Sequence, residues 1–162
     1  MAIISSGGII QVVRWDSAAV TNVTSANSEV AVAASQSPLL TTKAANSNFI
    51  YCCCLGAETD LTAGTNAHYR LVYTLNNFSS TDYVNSAKAQ VAGITLNSES
   101  GTNEHTIVTN YDGSHAVGTQ IGFRLNFTKT TAPSYQFNQQ AINGQPSGTS
   151  NYAYGYVMEI GA

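Results

Sequence analysis

Residues 120–128 alternate apolar and polar side chains more regularly than any other stretch of the chain, and this alternation constrains the fold most. Because successive side chains of a strand point to opposite faces, the pattern predicts a β-strand with one apolar and one polar face. Strands of this kind form antiparallel sheets that pack one face on a core. Asn126, on the polar face, is expected to be solvated, and the apolar face consists of Ile121, Phe123, Leu125 and Phe127.

Strand patterns recur at short intervals along the rest of the chain. Alternating segments rich in β-branched and aromatic residues, with Gly, Asn and Ser between them, are typical of strands joined by tight loops. The loops at 25–28 and 97–103 have the composition of hairpin connections. The predicted strands are residues 9–15, 20–24, 29–33, 39–43, 49–55, 68–75, 94–96, 104–109, 120–128 and 152–160, and residues 83–91 stay ambiguous between helix and strand.

The apolar residues of these strands indicate what is buried. Residues 49–55 form a continuous apolar run, which predicts a central strand buried on both faces. The consecutive Cys52, Cys53 and Cys54 lack the spacing of a metal site or redox pair, so we expect small buried groups and no disulfide. Trp15 is expected to anchor a core or an interface, and the strand 68–75 has an apolar face of Tyr69, Leu71, Tyr73 and Leu75.

These elements indicate the fold class and the number of domains. Many short strands with polar loops and no clear helix predict an all-β fold, an antiparallel jelly-roll-like β-sandwich, with a barrel made of one sheet as the alternative. A length of 162 residues is typical of one domain. We expect a single β-sandwich domain over residues 1–162, with residues 1–7 as an extended N-terminal arm.

Charged residues are sparse: they make up 9% of the chain, against about 25% in an average soluble protein, and the net charge is −3. The six basic residues are spread along the sequence, so no electrostatic footprint for nucleic acid or anionic lipid occurs. No window reaches the ~20 apolar residues of a membrane span, and the first ten residues lack the features of a signal peptide. We expect synthesis in a cytosol, with no nucleic-acid partner and no membrane insertion.

The sequence contains no motif that marks an active site. His68, His105 and His115 lie in separate segments without the spacing of a metal site. Glu104 and His105 are expected to lie on opposite faces of a solvated strand end, where they cannot act as a pair. No nucleophile elbow, phosphate-binding loop or calcium loop occurs. The chain is therefore predicted not to be an enzyme, and we expect neither a metal nor a cofactor.

Tyrosine is the one residue type whose enrichment points to binding. Nine tyrosines with abundant Asn, Gln, Ser and Gly resemble the composition of adaptable binding surfaces. The long segment 130–150 has no clear strand, and loops of this length are usually functional. The alternative is that most tyrosines pack within sheets or between subunits. The candidate binding residues are Tyr111, Tyr135, Asn138, Gln139 and Gln140.

Four short motifs together resemble a family of bacteriophage virion proteins that is common among marine and cyanobacterial phages. They are the opening at 8–13, the strand entry at 46–51, the strand at 119–124 and the ending at 156–160. The chain departs from the family at Asn48 and Phe49, where the family tends to have a lysine and an aliphatic residue, and in its run of three cysteines. The resemblance covers nearly the whole chain and implies a β-rich domain at a tail-fibre tip or on the capsid as a decoration or appendage.

The resemblance implies a structural virion protein that is made in the host cytoplasm, is displayed on the particle and has no catalytic residue. It also implies a homotrimer, and the low charge, the apolar Ile3 and Ile4 and the tyrosine-rich end agree with surface buried between copies. We expect a role in particle assembly with other virion proteins and in attachment to a host surface glycan or protein. The alternatives are a free carbohydrate-binding lectin or adhesin of the jelly-roll type and, third, a glycan-active enzyme.

Overall fold

The structure is a computed structural model, and it describes residues 7–59, 65–84, 92–96, 101–130, 135–137 and 153–161. Twelve β-strands and one short 3₁₀ helix, Ala33–Ser35, form in this part of the chain. The strands are β1 (Ile9–Ser17), β2 (Thr21–Val23), β3 (Val30–Ala31), β4 (Leu40–Thr41), β5 (Asn48–Thr59), β6 (Thr65–Thr74), β7 (Asp82–Tyr83), β8 (Ala92–Leu96), β9 (Gly101–Asp112), β10 (Gln120–Lys129), β11 (Tyr135–Phe137) and β12 (Ala153–Ile160).

The strands form two six-stranded antiparallel sheets. In the first sheet β5 is central, because β12 and β11 pair with one of its edges and β9 pairs with the other. β1 extends this sheet beyond β12, and β2 extends it beyond β11. In the second sheet β10 pairs with β6 at the centre. β3 and β4 share the other edge of β10, and β7 and β8 share the other edge of β6.

The chain crosses repeatedly from one sheet to the other. β1 lies in the first sheet, β4 in the second, β5 in the first, and β6 and β8 in the second; β9 then returns to the first sheet, β10 to the second and β12 to the first. This interleaved order is that of a jelly roll, in which two Greek keys enclose one core. It confirms the predicted antiparallel β-sandwich and rules out the single-sheet barrel.

The core lies between the two sheets, and β10 and β5 supply its centre. The ring centroid of Phe123 lies 5.7 Å from that of Phe49 and 6.2 Å from that of Tyr51, both on β5. Side chains from two facing sheets interdigitate in this way when the sheets pack about 10 Å apart. The predicted apolar face of residues 120–128 is confirmed, because Ile121, Phe123, Leu125 and Phe127 are each 0% exposed.

β5 is a central strand, as the apolar run predicts, although it continues beyond the run to Thr59 because its pairing with β9 and β11 continues. The predicted burial of this strand on both faces is wrong, because Ile50 and Cys52 on its outer face are only partly buried. Cys53 and Cys54 are buried, as predicted, whereas Cys52 is not fully buried. All three thiols are free. Burial raises the pKa of Cys53 to about 12, so this thiol stays protonated at neutral pH.

Trp15 belongs to the core, which confirms one of its two predicted roles. Its ring centroid lies 5.6 Å from that of Tyr51. The residue paired with Trp15 on β12 is Gly155, where a Cβ atom would lie 2.4 Å from the indole ring and 2.5 Å from the carbonyl oxygen of Cys52. Glycine is therefore required at position 155, because no side chain fits beneath the indole.

Both predicted hairpins are wrong. β2 pairs with β11 in the first sheet, whereas β3 pairs with β10 in the second. Likewise β8 pairs with β6, whereas β9 pairs with β5. The composition of a connection indicates that the chain turns there, but it does not indicate whether the next strand stays in the same sheet. In a sandwich, crossing to the facing sheet lets both strands bury their apolar faces.

Three predicted side-chain environments are also wrong: one residue lies beyond the end of its strand, and contacts with other strands override the local pattern at the other two. β6 ends at Thr74, and Leu75 is 49% exposed. Asn126 is partly buried and hydrogen-bonded. His105 is partly buried, its Nδ1 shares a hydrogen bond with the hydroxyl of Tyr69, and desolvation lowers the pKa of its imidazole. Residues 1–6 of the predicted arm and residues 85–91 of the ambiguous segment lie outside the described residues.

Glu159 is fully buried near the end of β12 and fixes the loop that precedes β5. Its carboxylate accepts hydrogen bonds from the backbone N–H of Lys43 at 2.9 Å and of Ala44 at 3.1 Å, from Ser47 Oγ at 2.7 Å and from the side-chain amide of Gln11. Desolvation by itself raises the pKa of Glu159, but these hydrogen bonds together hold it below its ordinary value. One carboxylate thus joins β1, β12 and the loop.

Candidate functional site

The outer face of the first sheet carries an apolar surface that crosses four strands. Cross-strand pairing places Val12 of β1 beside Met158 of β12, which in turn pairs with Ile50 of β5. In the next row Cys52 pairs with Tyr156 on one side and with Val108 of β9 on the other. We call this set the apolar face, and its members are Val12, Ile50, Cys52, Val108, Tyr154, Tyr156 and Met158.

Much of the apolar face is open to solvent. Val12 is 48% exposed, Val108 59% and Tyr154 60%. Charged residues lie at its margins, because Arg14 and Asp16 are on the edge strand β1 and Asp112 ends β9. Neighbouring apolar side chains that are exposed together, with charge confined to a rim, are typical of a surface that contacts another protein.

The outer face of the second sheet is polar instead. Glu29, one residue before β3, accepts hydrogen bonds from Arg70 Nη1 of β6 at 2.6 Å, from Asn126 Nδ2 of β10 at 2.6 Å and from the hydroxyl of Tyr83 of β7 at 2.9 Å. Desolvation raises the pKa of Glu29, but these hydrogen bonds and the charge of Arg70 together lower it below its ordinary value. The four side chains therefore form one hydrogen-bonded row across the sheet.

Polar atoms without hydrogen-bond partners are concentrated beside this row. Five buried side-chain polar atoms lack a partner in the described part of the chain, and only Trp15 Nε1 is not on this face. The amide orientation of Asn126 follows from chemistry, because the carboxylate of Glu29 only accepts and so must face Nδ2. The other four atoms are Arg124 Nε, Asn126 Oδ1, Thr128 Oγ1 and His68 Nε2.

The four atoms belong to residues on two paired strands. Arg124, Asn126 and Thr128 follow one another along the outer face of β10, and Thr128 pairs directly with His68 of β6. Desolvation and the nearby charge of Arg70 lower the pKa of His68, so its imidazole is neutral at neutral pH. We call this set the polar face, and its members are Glu29, His68, Arg70, Tyr83, Arg124, Asn126 and Thr128.

Phe78 covers one end of the polar face. Its ring centroid lies 5.0 Å from the guanidinium carbon of Arg124, a cation–π contact, and a Cβ atom on Gly122 would lie 3.1 Å from the ring. The backbone of Phe78 is left-handed, with φ 61°, which is rare for a bulky residue. Thr74 Oγ1 holds this turn by accepting hydrogen bonds from the N–H groups of Asn76 at 3.2 Å and of Phe78 at 3.0 Å.

Tyr111, the first candidate binding residue, lies on the inner side of β9 and is 8% exposed. Its ring stacks on that of Tyr73 with centroids 4.8 Å apart, and its hydroxyl shares a hydrogen bond with His115 Nε2 at 3.0 Å. Desolvation raises the pKa of Tyr111 and lowers that of His115. This packing leaves the Tyr111 side chain little surface to offer a ligand.

The remaining candidate residues are on or beyond β11. Tyr135 begins β11, where it pairs with Val23 of β2 and Thr59 of β5. Because β11 and β9 pair with opposite edges of β5, Tyr135 and Tyr111 are on different sides of that strand. Asn138, Gln139 and Gln140 lie outside the described residues. A binding role for these five residues stays a prediction.

Sequence reasoning missed both outer faces, although part of the signal was present. The alternation of residues 120–128 already placed Arg124, Asn126 and Thr128 together on one face, and that of residues 152–160 grouped Tyr154, Tyr156 and Met158. The missing part was the identity of the neighbouring strands. Arg70 and Glu29 join the first group through pairing and hydrogen bonds that no local pattern contains.

The described residues show no other site with recognisable chemistry. No group of three His, Cys, Asp or Glu side chains among them is arranged to hold a metal ion. In the same part of the chain no helix has the length and apolar character needed to cross a membrane. The expectations about catalysis, metals and cofactors stay predictions.

The fold and its surfaces define the protein as an antiparallel jelly-roll β-sandwich with one apolar and one polar outer face. No family model and no curated protein matches the chain. One similar solved chain comes from the structure of infectious bursal disease virus, Gx strain, with 12% identity and a TM-score of 0.40. The match covers 94% of this chain and 40% of that chain, so this protein spans about two fifths of its neighbour. A likeness at this level supports no statement about function.

Proposed function

We propose that this protein is a structural component of a bacteriophage virion, a tail-fibre tip or capsid decoration domain, and that it works as a homotrimer. The observation that carries the proposal is the apolar face, which is open to solvent in the single chain and crosses four strands. The resemblance of the sequence motifs to phage virion proteins supports the placement on a particle and the three-fold state. Attachment to a host surface is the second part of the proposed role.

The apolar face favours association with further copies of the chain for a physical reason. Each square ångström of apolar surface removed from water contributes about 25 cal/mol, and Val12, Val108 and Tyr154 leave large areas to bury. Tyr and Met are enriched at protein interfaces, and charged residues are depleted from interface centres, as on this surface. A closed three-fold ring buries the surface of every copy, whereas an open arrangement of the same contact would continue as a fibre.

We expect multi-angle light scattering of the isolated protein at micromolar concentration to give three times the chain mass of 17.1 kDa. Val108→Asp should shift the mass to that of the single chain, because a carboxylate buried in an apolar contact costs several kcal/mol. The association constant should fall by at least about 100-fold.

Val117→Asp is the matched control for this substitution. Val117 is 63% exposed, close to the 59% of Val108, but it lies in the connection between β9 and β10 and not on the apolar face. The control should stay trimeric. A wild-type mass of 17.1 kDa, or equal dissociation of both variants, would count against the apolar face as the contact between copies.

A free carbohydrate-binding lectin or adhesin is the second candidate, and the polar face is the observation that favours it. Mass spectrometry of purified phage particles separates the two functions. A virion component should be present at constant stoichiometry in particles after density-gradient purification. Its absence from particles, combined with glycan binding by the isolated protein, would favour the lectin.

A further inference from the structure

The two sheets have edges of different length. In the second sheet the outer edges of β10 and β6 carry short strands: β3, β4 and β7 have two residues each, and β8 has five. In the first sheet β1 is an edge strand of nine residues. Natural sheets often end in short strands, because a long row of unpaired backbone groups pairs readily with another chain. β1 is therefore an edge to which a further strand can be added.

The outer side of β1 has no strand partner within the described residues, because β1 pairs with β12 alone. Outside the strand ladders, none of the backbone hydrogen bonds of the described residues involves residues 9–16. In an antiparallel strand that is paired on one side, every second residue directs its N–H and C=O away from the sheet. These groups take a partner from water or from a further strand.

Two opposite charges lie close together on this edge. Arg14 and Asp16 are both exposed, and both are on the outer face of the sheet, because Trp15 between them is buried on the inner face. Neither forms an ion pair within the described residues. β1 contains no lysine and no proline, the residues with which natural edge strands prevent pairing. The edge thus offers a partner strand one cation and one anion, two residues apart.

We propose that β1 pairs antiparallel with β1 of a second copy, about a two-fold axis at Trp15. In this register Arg14 of each copy lies opposite Asp16 of the other copy, so two ion pairs form. Centring the axis on Arg14 or on Asp16 instead places two like charges directly opposite each other, which is destabilising. The charges therefore select one register, and the strand that complements β1 in that register is β1 itself.

β9 is the other long edge strand of this sheet, and within the described residues it pairs with β5 alone. Its charges do not favour the same contact. The exposed residues of β9 whose side chains are described include one anion and no cation; they are Thr106, Val108, Asn110 and Asp112. Two copies of this segment cannot form an ion pair with each other, so charge complementarity favours β1.

The β1 contact is separate from the three-fold ring. A two-fold contact uses the same surface on both partners, whereas a three-fold ring joins two different surfaces of each chain. Pairing of β1 strands therefore joins neighbouring trimers, and it deepens the proposed role in particle assembly. The place of the contact, between trimers, rests on the proposed function, whereas the pairing of two β1 strands does not.

The test is sedimentation equilibrium over the micromolar to millimolar range of protein concentration. The wild type should pass from trimers to larger assemblies, and Val108→Asp, which separates the trimer, should pass from single chains to dimers. In the Val108→Asp background, Arg14→Asp and Asp16→Arg each replace both ion pairs by like charges. Each should therefore weaken dimerisation at least about 10-fold.

A mixture of these two charge variants tests the register directly. An equimolar mixture should dimerise as strongly as the parent Val108→Asp protein, because a copy with two anions then pairs with a copy with two cations. Asp82→Arg is the matched control for Asp16→Arg: it makes the same change of charge at an exposed position of β7 in the second sheet, and it should leave dimerisation unchanged. Thermal melts establish that each variant keeps its fold.

The proposal is overturned if neither the wild type nor Val108→Asp associates further up to millimolar concentration. It is also overturned if Arg14→Asp dimerises like its parent, or if the mixture associates no more strongly than its two components. A wild type that is a single chain at micromolar concentration and a dimer at millimolar concentration, with the expected response to the charge variants, would contradict the three-fold ring and support the β1 contact. The two proposals can therefore fail separately.

Discussion

Replacing Glu159 by alanine is expected to lower the free energy of unfolding by about 3 to 5 kcal/mol, as the loss of a buried hydrogen-bonded network does. The N–H groups of Lys43 and Ala44 and the hydroxyl of Ser47 all donate to this carboxylate. Without the carboxylate these buried donors have no hydrogen-bond acceptor, and the loop before β5 loses its attachment to β12. The cost is large because several partners lose their acceptor at once.

Glu159→Gln keeps the size of the side chain and separates charge from shape. The glutamine side chain has an NH₂ group, which donates, in place of one of the two accepting carboxylate oxygens. One of the hydrogen bonds that Glu159 accepts from Gln11 or from the loop is therefore lost. We expect Glu159→Gln to lower the free energy of unfolding by about 1 to 3 kcal/mol, so that its stability lies between those of the wild type and of Glu159→Ala.

The pH dependence of this contribution has a definite sign. In the folded chain the pKa of Glu159 lies below its ordinary value of 4.5, so the unfolded chain binds more protons as the pH falls. The stabilisation is present above that ordinary pKa and is lost as the pH falls from it through the folded pKa. Glu159→Gln should therefore lose stability less steeply below about pH 4.5. The pKa of Glu29 is also lowered, so the free energy of unfolding of both proteins keeps part of its dependence on pH.

Urea melts of the three proteins between neutral pH and about pH 3 measure both effects. If Glu159→Ala unfolds within about 0.5 kcal/mol of the wild type, the carboxylate is not the anchor of the loop. If wild type and Glu159→Gln lose stability in parallel, the hydrogen bonds do not lower the pKa of Glu159.

Phe127→Ala is the second change with a large expected effect, on the order of 3 to 5 kcal/mol. The ring of Phe127 is fully buried, with centroids 5.1 Å from Tyr69 and 5.0 Å from Phe137. Its removal leaves a cavity between the two sheets that these rings cannot fill without leaving their own positions. A loss of this size is a large part of the free energy of unfolding of a typical domain.

Asn126→Ala tests the opposite face of the same strand. Asn126 Nδ2 donates to the carboxylate of Glu29 at 2.6 Å, so the substitution should cost about 1 to 2 kcal/mol, more than the solvated position predicted from the sequence would lose. Urea melts rank the two variants. A greater loss for Asn126→Ala than for Phe127→Ala would contradict the register, because a slip of one residue exchanges the two faces of a strand.

Several features of the fold could be predicted from the sequence because they depend on local geometry. The side chains of a strand alternate whatever its neighbours are, so the faces of β10 were readable from residues 120–128. The uninterrupted apolar run predicted the central position of β5, although the outer face of this strand is only partly covered, because Ile50 and Cys52 belong to the apolar face. Many short strands without a helix pattern then favoured a sandwich.

The terminal strand shows where such reasoning stops. Its alternation separates the tyrosines from a face of small and charged residues, but it does not indicate which face is inward. In the structure Ala153, Gly155, Val157 and Glu159 are buried, and Tyr154 is exposed. The reason is tertiary, because the indole ring of Trp15, which packs on Tyr51, already fills the space above Gly155. The sheet therefore turns its aromatic face outward, and that orientation creates the apolar face.

The sequence by itself determined most of the strands, the alternation of their side chains and the all-β class, because these follow from a period of two and from the composition of the turns. It did not predict β11, which forms within the segment 130–150 through pairing with β2 and β5. The tertiary structure alone decided which sheet each strand joins and which polar groups meet. Glu159 meets the backbone of Lys43, and Glu29 meets Arg70, across sequence separations of 116 and 41 residues. Contacts at such separations depend on how the whole chain closes around its core, and no local pattern contains that information.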